Sequence, residues 1–317
     1  MIIHDDLTLD SLPILRLETD LLYMDLSPLT GGRIIRIYHK ELVHEFLWKN
    51  EGLPLRTAQP GDPYDPNFWG GIDEVVPGDI PERIDNLDNP DHGELWTLPL
   101  DGKIEGDSVL LEGILPRWGL HYQKRVSLRA NAPWADLDYR IHNPTAERRA
   151  FLWKLHAAVQ IAPGDRIACP AEWAVPADPQ WSRWKDPQPF QWPLVEGQRA
   201  DVIPAPDGTT DFLFLYGLRE GWLSLQRPAQ GIAQGGCELS IAFDPQIFPY
   251  VCYFASYGGF DGHYTAVLEP ATAMPLSLNE AVRFGQCSVL SPGESLTTRV
   301  SLYAGPLRAE STEMQQN

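Results

Sequence analysis

Strict alternation of apolar and polar side chains recurs along this chain, and it restricts the fold more than any other feature. In ADLDYRIHN (135–143), Leu137, Tyr139 and Ile141 point one way while Asp136, Asp138, Arg140 and His142 point the other, the signature of a strand with one buried face. The same period of two runs through 21–27, 33–38, 108–115, 122–129, 211–216, 238–243, 250–256 and 297–304, with Gly, Pro, Asn or Asp nearby to turn the chain. Helical spacing is confined to short stretches such as SLNEAVRF (277–284), which disfavours a doubly wound α/β fold. No fixed-period repeat supports a propeller or solenoid. The expectation is an all-β protein, a large sandwich of antiparallel sheets whose inward side chains form a core between the layers.

At 317 residues the chain is within the range that large β sandwiches fill as one unit, so a single domain over 1–317 is expected. Its 29 prolines concentrate in 56–67, 75–91 and 169–193. Aromatic residues are interleaved there, among them Trp173, Trp181, Trp184 and Trp192, which marks long ordered loops rather than linkers. These loops are expected to gather at one face.

A net charge of -18 argues against nucleic acid and against an anionic membrane surface, because both require a basic footprint. No run approaches the roughly 20 apolar residues of a membrane span, and the first ten residues lack the pattern of a secretion signal. Cys169, Cys237, Cys252 and Cys287 are scattered, with neither zinc-site spacing nor a disulfide framework. A cytoplasmic protein is expected. The absence of a Gly-rich phosphate loop and of metal-ligand spacing leads to the expectation of no cofactor and no metal.

Three segments carry candidate chemistry. In YRIHNPTAERRAFLWKLHAAVQI (139–161), a strand, an Asn143-Pro144 turn and a second strand deliver His156 among apolar neighbours. Such an imidazole reads either as a satisfied core residue or as a group able to exchange a proton near neutrality. In FPYVCYFASYGGFDGHYTAVLEPATAMP (248–275), an apolar strand runs to Glu269, and Pro270 is expected to stop the ladder there. Burial of a carboxylate at that place raises its affinity for a proton, while a solvated strand end is the alternative. The segment 69–100 is dense in Trp69, Asp73, Glu74, Arg83, His92, Glu94 and Trp96. Carboxylates and Arg hydrogen-bond sugar hydroxyls, and a Trp face covers the apolar C–H surface of a sugar ring.

These pieces, in order, resemble the aldose 1-epimerase or galactose mutarotase-like family. GGRIIRI (31–37) resembles its early Gly-Gly strand, DHGELW (91–96) its His-Gly element, and NPTAERRAFLWKLHAAVQI (143–161) its hairpin and His strand. VLEP (267–270) and SVLSPGESLTTRVSLYAG (288–305) resemble its closing Glu-Pro strand and Pro-Gly-Glu turn. The resemblance implies a large antiparallel β-supersandwich, a small-molecule sugar as partner, and interconversion of sugar anomers without cofactor or metal. It implies Glu269 as general base and His156 as general acid, with His92 near the sugar. Arg83, Trp69, Trp96 and Asp73 are the further candidate contacts. The family's substrate-binding Asp corresponds to Asp73, Asp211 or Asp261. DHGELW departs from the extended His-Gly-Gly pattern of the galactose enzymes, which leaves the sugar open. A phosphorylated sugar would require a local cation cluster, for which Arg83 and Arg117 are the candidates. The alternative function is carbohydrate binding without turnover on the same fold. A glycosidase needs two facing carboxylates, and only one stands out.

Overall fold

The computed structural model describes residues 1–229 and 235–309. Two antiparallel sheets of 12 and 8 strands form the layers, with three two-stranded ribbons at their margins. The strands expected from alternation are present, including Arg33–His39, Ser108–Ile114, His121–Leu128, Trp134–His142, Thr210–Tyr216 and Tyr250–Tyr257. SLNEAVRF becomes a seven-residue helix, Leu278–Phe284, in which the Ser277 side chain accepts from the Glu280 N–H and Gly285 closes the end in a left-handed conformation. Among the described residues, no helix is long and apolar enough to cross a membrane.

The smaller sheet contributes Val126, Leu137, Ile141, Leu239, Ile241, Val300 and Leu302 to the core, and the larger contributes Met24, Ile34, Ile72, Leu155, Leu268 and Tyr253. Burial of such side chains contributes about 1.5–3 kcal/mol each. Among the described residues, one charged contact crosses this apolar layer. Lys124 of the smaller sheet donates to Glu74 of the larger at 2.8 Å and to the Gly32 carbonyl at 2.8 Å, with both ionic side chains 0% exposed. Tyr139 adds a second donor to the Glu74 carboxylate at 2.7 Å. A buried pair is tolerated only when its remaining hydrogen-bonding capacity is met, as it is here.

At the middle of the larger sheet lie three neighbouring strands, Ile72–Val75, Lys154–Val159 and Tyr264–Ala271. His156 pairs with Asp73 across the first interface. Across the second, the register is anchored by Lys154 opposite Ala271 and Ala157 opposite Leu268, which sets His156 opposite Glu269. The strand does not end at Glu269, contrary to the sequence expectation: it runs through Pro270 to Ala271, with Cys252, Val251 and Tyr250 paired beside these residues. The proline has no N–H to give, so the ladder to Lys154–Val159 is interrupted locally while the strand itself continues. The alternation of faces then turns Ile72, Glu74, Leu155 and Leu268 toward the core. Asp73, Lys154, His156, Val267 and Glu269 lie on the outer face.

Candidate functional site

The outer face of these strands is the floor of an open cleft. Lys154, His156, Val267 and Glu269 line its base, and the three proline-rich loops bring in Tyr64, Asp79 and Trp181. Each strand residue is rigidly placed because its backbone is held in the sheet. The loops are placed by close backbone approach. At Gly71, with φ +75°, a Cβ would lie 2.4 Å from the Ile34 carbonyl oxygen, so only glycine lets the chain enter the strand that carries Asp73. At Gly93, with φ +76°, a Cβ would meet the Val76 carbonyl oxygen at 2.1 Å, and this contact sets the position of His92.

His156 is oriented from behind. Its Nδ1 lies 3.0 Å from Asp73 Oδ1 and 3.2 Å from the Tyr64 hydroxyl, so the ring presents Nε2 to the cleft. Asp73 in turn accepts from Arg33 at 2.6 Å and from Tyr64 at 2.9 Å. Burial favours the neutral acid at Asp73, but the Arg33 guanidinium and the hydrogen bonds from His156 and Tyr64 outweigh it and hold the carboxyl far below its ordinary range. An ionised Asp73 accepts from the Nδ1 side of the ring and so fixes the orientation in which Nε2 is free toward the cleft. Burial and the adjacent Asp73 push the Tyr64 phenol well above its ordinary range, so it remains a hydrogen-bond donor.

Glu269 shares Lys154 with Asp79. The ammonium is 3.3 Å from Glu269 and 2.5 Å from Asp79, and all three side chains are almost fully enclosed. Burial would lower the lysine, yet the carboxylates of Asp79 and Glu269 hold it well above its ordinary value and therefore charged. Asp79 is likewise opposed by burial and brought below its ordinary value chiefly by Lys154. Cys252, directly across from Glu269 on the neighbouring strand, has its thiol pushed well up by burial and by that carboxylate.

His92 stacks face to face on Tyr64, with centroids 3.9 Å apart, and donates from Nδ1 to Asp91 at 2.8 Å. Burial would lower its pKa, but Asp91 and Asp79 raise it above the ordinary histidine value. The opposite wall is apolar: Phe212, Phe254 and Phe260 continue to Trp181. The row of groups can thus transfer protons at one end of the cleft and cover apolar ligand surface at the other.

Of the residues singled out in the sequence, the structure brings together Glu269, His156 and His92 as cleft lining, with Asp73 directly behind His156. Trp96 lies behind the cleft, edge-on to Tyr64 at 5.1 Å, and donates to the Asp91 carbonyl. Trp69 is buried against Ile14, Ile35 and Leu55. Arg83 pairs with Asp88 on an exposed ribbon, and Arg117 donates to the Asp88 carbonyl, so neither lines the cleft. Asp211 is buried against Arg183 and Tyr257, and Asp261 is at an exposed turn with φ +48°. Density of polar and aromatic residues does not reveal which way they face. Lys154 was legible in principle, since a residue two before His156 shares its face. Tyr64, Asp79 and Trp181 come from loops, for which no such periodicity exists.

No family model and no curated protein matches the sequence. Solved structures do match. The protein Slr1438 from Synechocystis sp. PCC 6803 is 16% identical with a TM-score of 0.70, over 97% of this chain and 100% of that one. A candidate aldose 1-epimerase from Escherichia coli K12 is 18% identical with a TM-score of 0.68, over 93% and 99%. A galactose mutarotase-like protein from Lactobacillus casei is 13% identical with a TM-score of 0.64, over 92% and 99%. At these identities the likeness establishes the architecture: the chain has the antiparallel β-sandwich fold of the galactose mutarotase-like structures.

Proposed function

We propose that the cleft binds an aldose with a free anomeric carbon and interconverts its anomers, with Glu269 as general base and His156 as general acid. The observation that carries this reading is the placement of the two groups on adjacent strands, opposite one another, on the floor of one cleft. Glu269 takes the proton of the anomeric hydroxyl as the bond between the anomeric carbon and the ring oxygen breaks, and His156 Nε2 gives its proton to that oxygen. The resulting aldehyde rotates, the ring oxygen attacks its other face while returning its proton to His156, and Glu269 returns the first proton to the new anomeric oxygen. The protein ends unchanged, as a general acid–base catalyst must.

Asp73 keeps the imidazole in the orientation that presents Nε2, and Lys154 fixes the Glu269 carboxylate. The described lysines and arginines that line the cleft reduce to Lys154, which is paired twice, so a neutral sugar fits better than a phosphorylated one. Magnetisation exchange between α and β anomers across a panel of aldoses and their 6-phosphates tests the proposal, with wild type and Glu269→Gln compared. Faster exchange than in buffer is expected for a neutral aldose, with a loss of about 10²–10⁴-fold in the variant. Exchange at the buffer rate for every sugar, with binding retained, would leave the same-fold carbohydrate-binding reading in its place.

A further inference from the structure

The proposed chemistry uses one end of the cleft and leaves its aromatic end without a role. Phe254 is in register with Val267, one strand beyond Glu269, and Phe212 is in register with Phe254 on the strand after that. Strands lie about 4.8 Å apart, so Phe212 stands roughly 10 Å across the sheet from the strand of Glu269. That is beyond a single sugar ring anchored at its anomeric carbon between His156 and Glu269. The rings form a continuous wall: Phe212 meets Phe254 at 5.7 Å, Phe254 meets Phe260 at 5.7 Å, and Phe260 meets Trp181 at 5.9 Å.

Trp181 is 41% exposed, yet the loop beneath it is fixed. The Asp178 side chain accepts from the Gln180 N–H at 2.8 Å, and the Arg183 N–H donates to the Thr210 carbonyl at 2.8 Å. The Arg183 guanidinium is clamped on Asp211 at 2.5 Å and lies 4.8 Å over the Tyr257 ring. A large apolar ring held rigidly in water at the side of a cleft is prepared for a partner, because its ordering entropy is already spent.

We infer that Trp181, Phe260, Phe254 and Phe212 form a second sugar subsite, so that the preferred ligand is a reducing disaccharide or longer oligosaccharide. This rests on the aldose reading of the His156–Glu269 end. The anomeric carbon there must be free, so the chain of sugars extends from the far side of the reducing ring. Its next ring then lays its C–H face on the aromatic wall.

Calorimetric titration of the wild type, Trp181→Ala and Trp181→Phe with glucose, maltose, cellobiose and lactose tests the subsite. At least one disaccharide is expected to bind roughly three- to tenfold tighter than glucose. Trp181→Ala should remove that gain while changing the glucose Kd less than twofold, and Trp181→Phe should keep most of it. Equal affinities for glucose and every disaccharide, a gain that survives Trp181→Ala, or no detectable binding of any sugar would overturn the inference. Anomer exchange measured on the same samples keeps the two readings apart. A disaccharide gain without exchange refutes the isomerase alone, and exchange without the gain refutes the subsite alone.

Discussion

Replacing Lys154 with Met keeps the length of the side chain and removes the charge that Asp79 and Glu269 share. At an effective dielectric constant of about 20, the gross attractions at 2.5 and 3.3 Å are about 7 and 5 kcal/mol. Desolvation of several kcal/mol per ion offsets much of this, and breaking buried pairs of this kind costs about 3–5 kcal/mol net. The loss must depend on pH. In the wild type, Asp79 is opposed by burial but held below 3.8 chiefly by Lys154, so its contribution is present above that value and lost as pH falls through the depressed one. In Lys154→Met, burial acts on Asp79 without its cation and raises the carboxyl above 3.8. The unpaired group then costs stability at neutral pH and is relieved by protonation as pH falls. Urea unfolding at pH 5, 6, 7 and 8 should therefore show a gap between the two proteins that narrows toward pH 5, and adding Asp79→Asn should recover more than half of the loss. A gap below about 1 kcal/mol at pH 7, or one that is equal at every pH, would refute the reasoning. Exchange activity should fall by about 10²-fold, since Glu269 loses the contact that positions it.

Lys124→Met should cost about 3–5 kcal/mol by leaving Glu74 between the sheets without its cation, whereas joint replacement of Lys124 and Glu74 by apolar residues should recover most of it; urea unfolding of the three proteins decides. Gly93→Ala should destabilise by about 2 kcal/mol or more, because a Cβ at a left-handed residue meets the Val76 carbonyl, and it should weaken sugar binding by moving His92. His92 is lowered by burial but raised overall by Asp91 and Asp79, so its stabilising contribution is complete below about pH 6.5 and lost as pH rises through its higher folded value. His92→Gln should therefore flatten the decline in melting temperature above pH 6.5.

The strands were legible because side chains alternate wherever one face meets a core and the other meets water. Trp134–His142 shows this plainly. The fate of Pro270 was not legible, because a missing N–H stops a strand only where the neighbour on that side demands a bond, and pairing to Tyr250–Tyr257 carries the chain onward. His156 and Glu269 could be named from their segments, but their opposition depends on a register between strands more than 100 residues apart in sequence. The ion pair of Lys124 with Glu74 was invisible for the same reason: alternation assigns each to a face, and only the stacking of two sheets makes them meet. Trp69 and Trp96 were placed by density at the sugar, whereas the fold spends them on packing behind the loops. Trp181 lines the cleft from a proline-rich loop, as loops gathered at one face allow, but no periodicity in such a loop tells which of its tryptophans faces inward.

The most direct test is the rate of mutarotation, followed by polarimetry on a freshly dissolved neutral aldose anomer, for wild type, His156→Asn, Glu269→Gln and the double variant. If the two residues act as one acid–base unit, the wild type accelerates the change and each single variant is nearly as slow as the double, because neither half-step proceeds alone. A single variant that retains the wild-type rate, or a wild type no faster than buffer across the aldose panel, would contradict it.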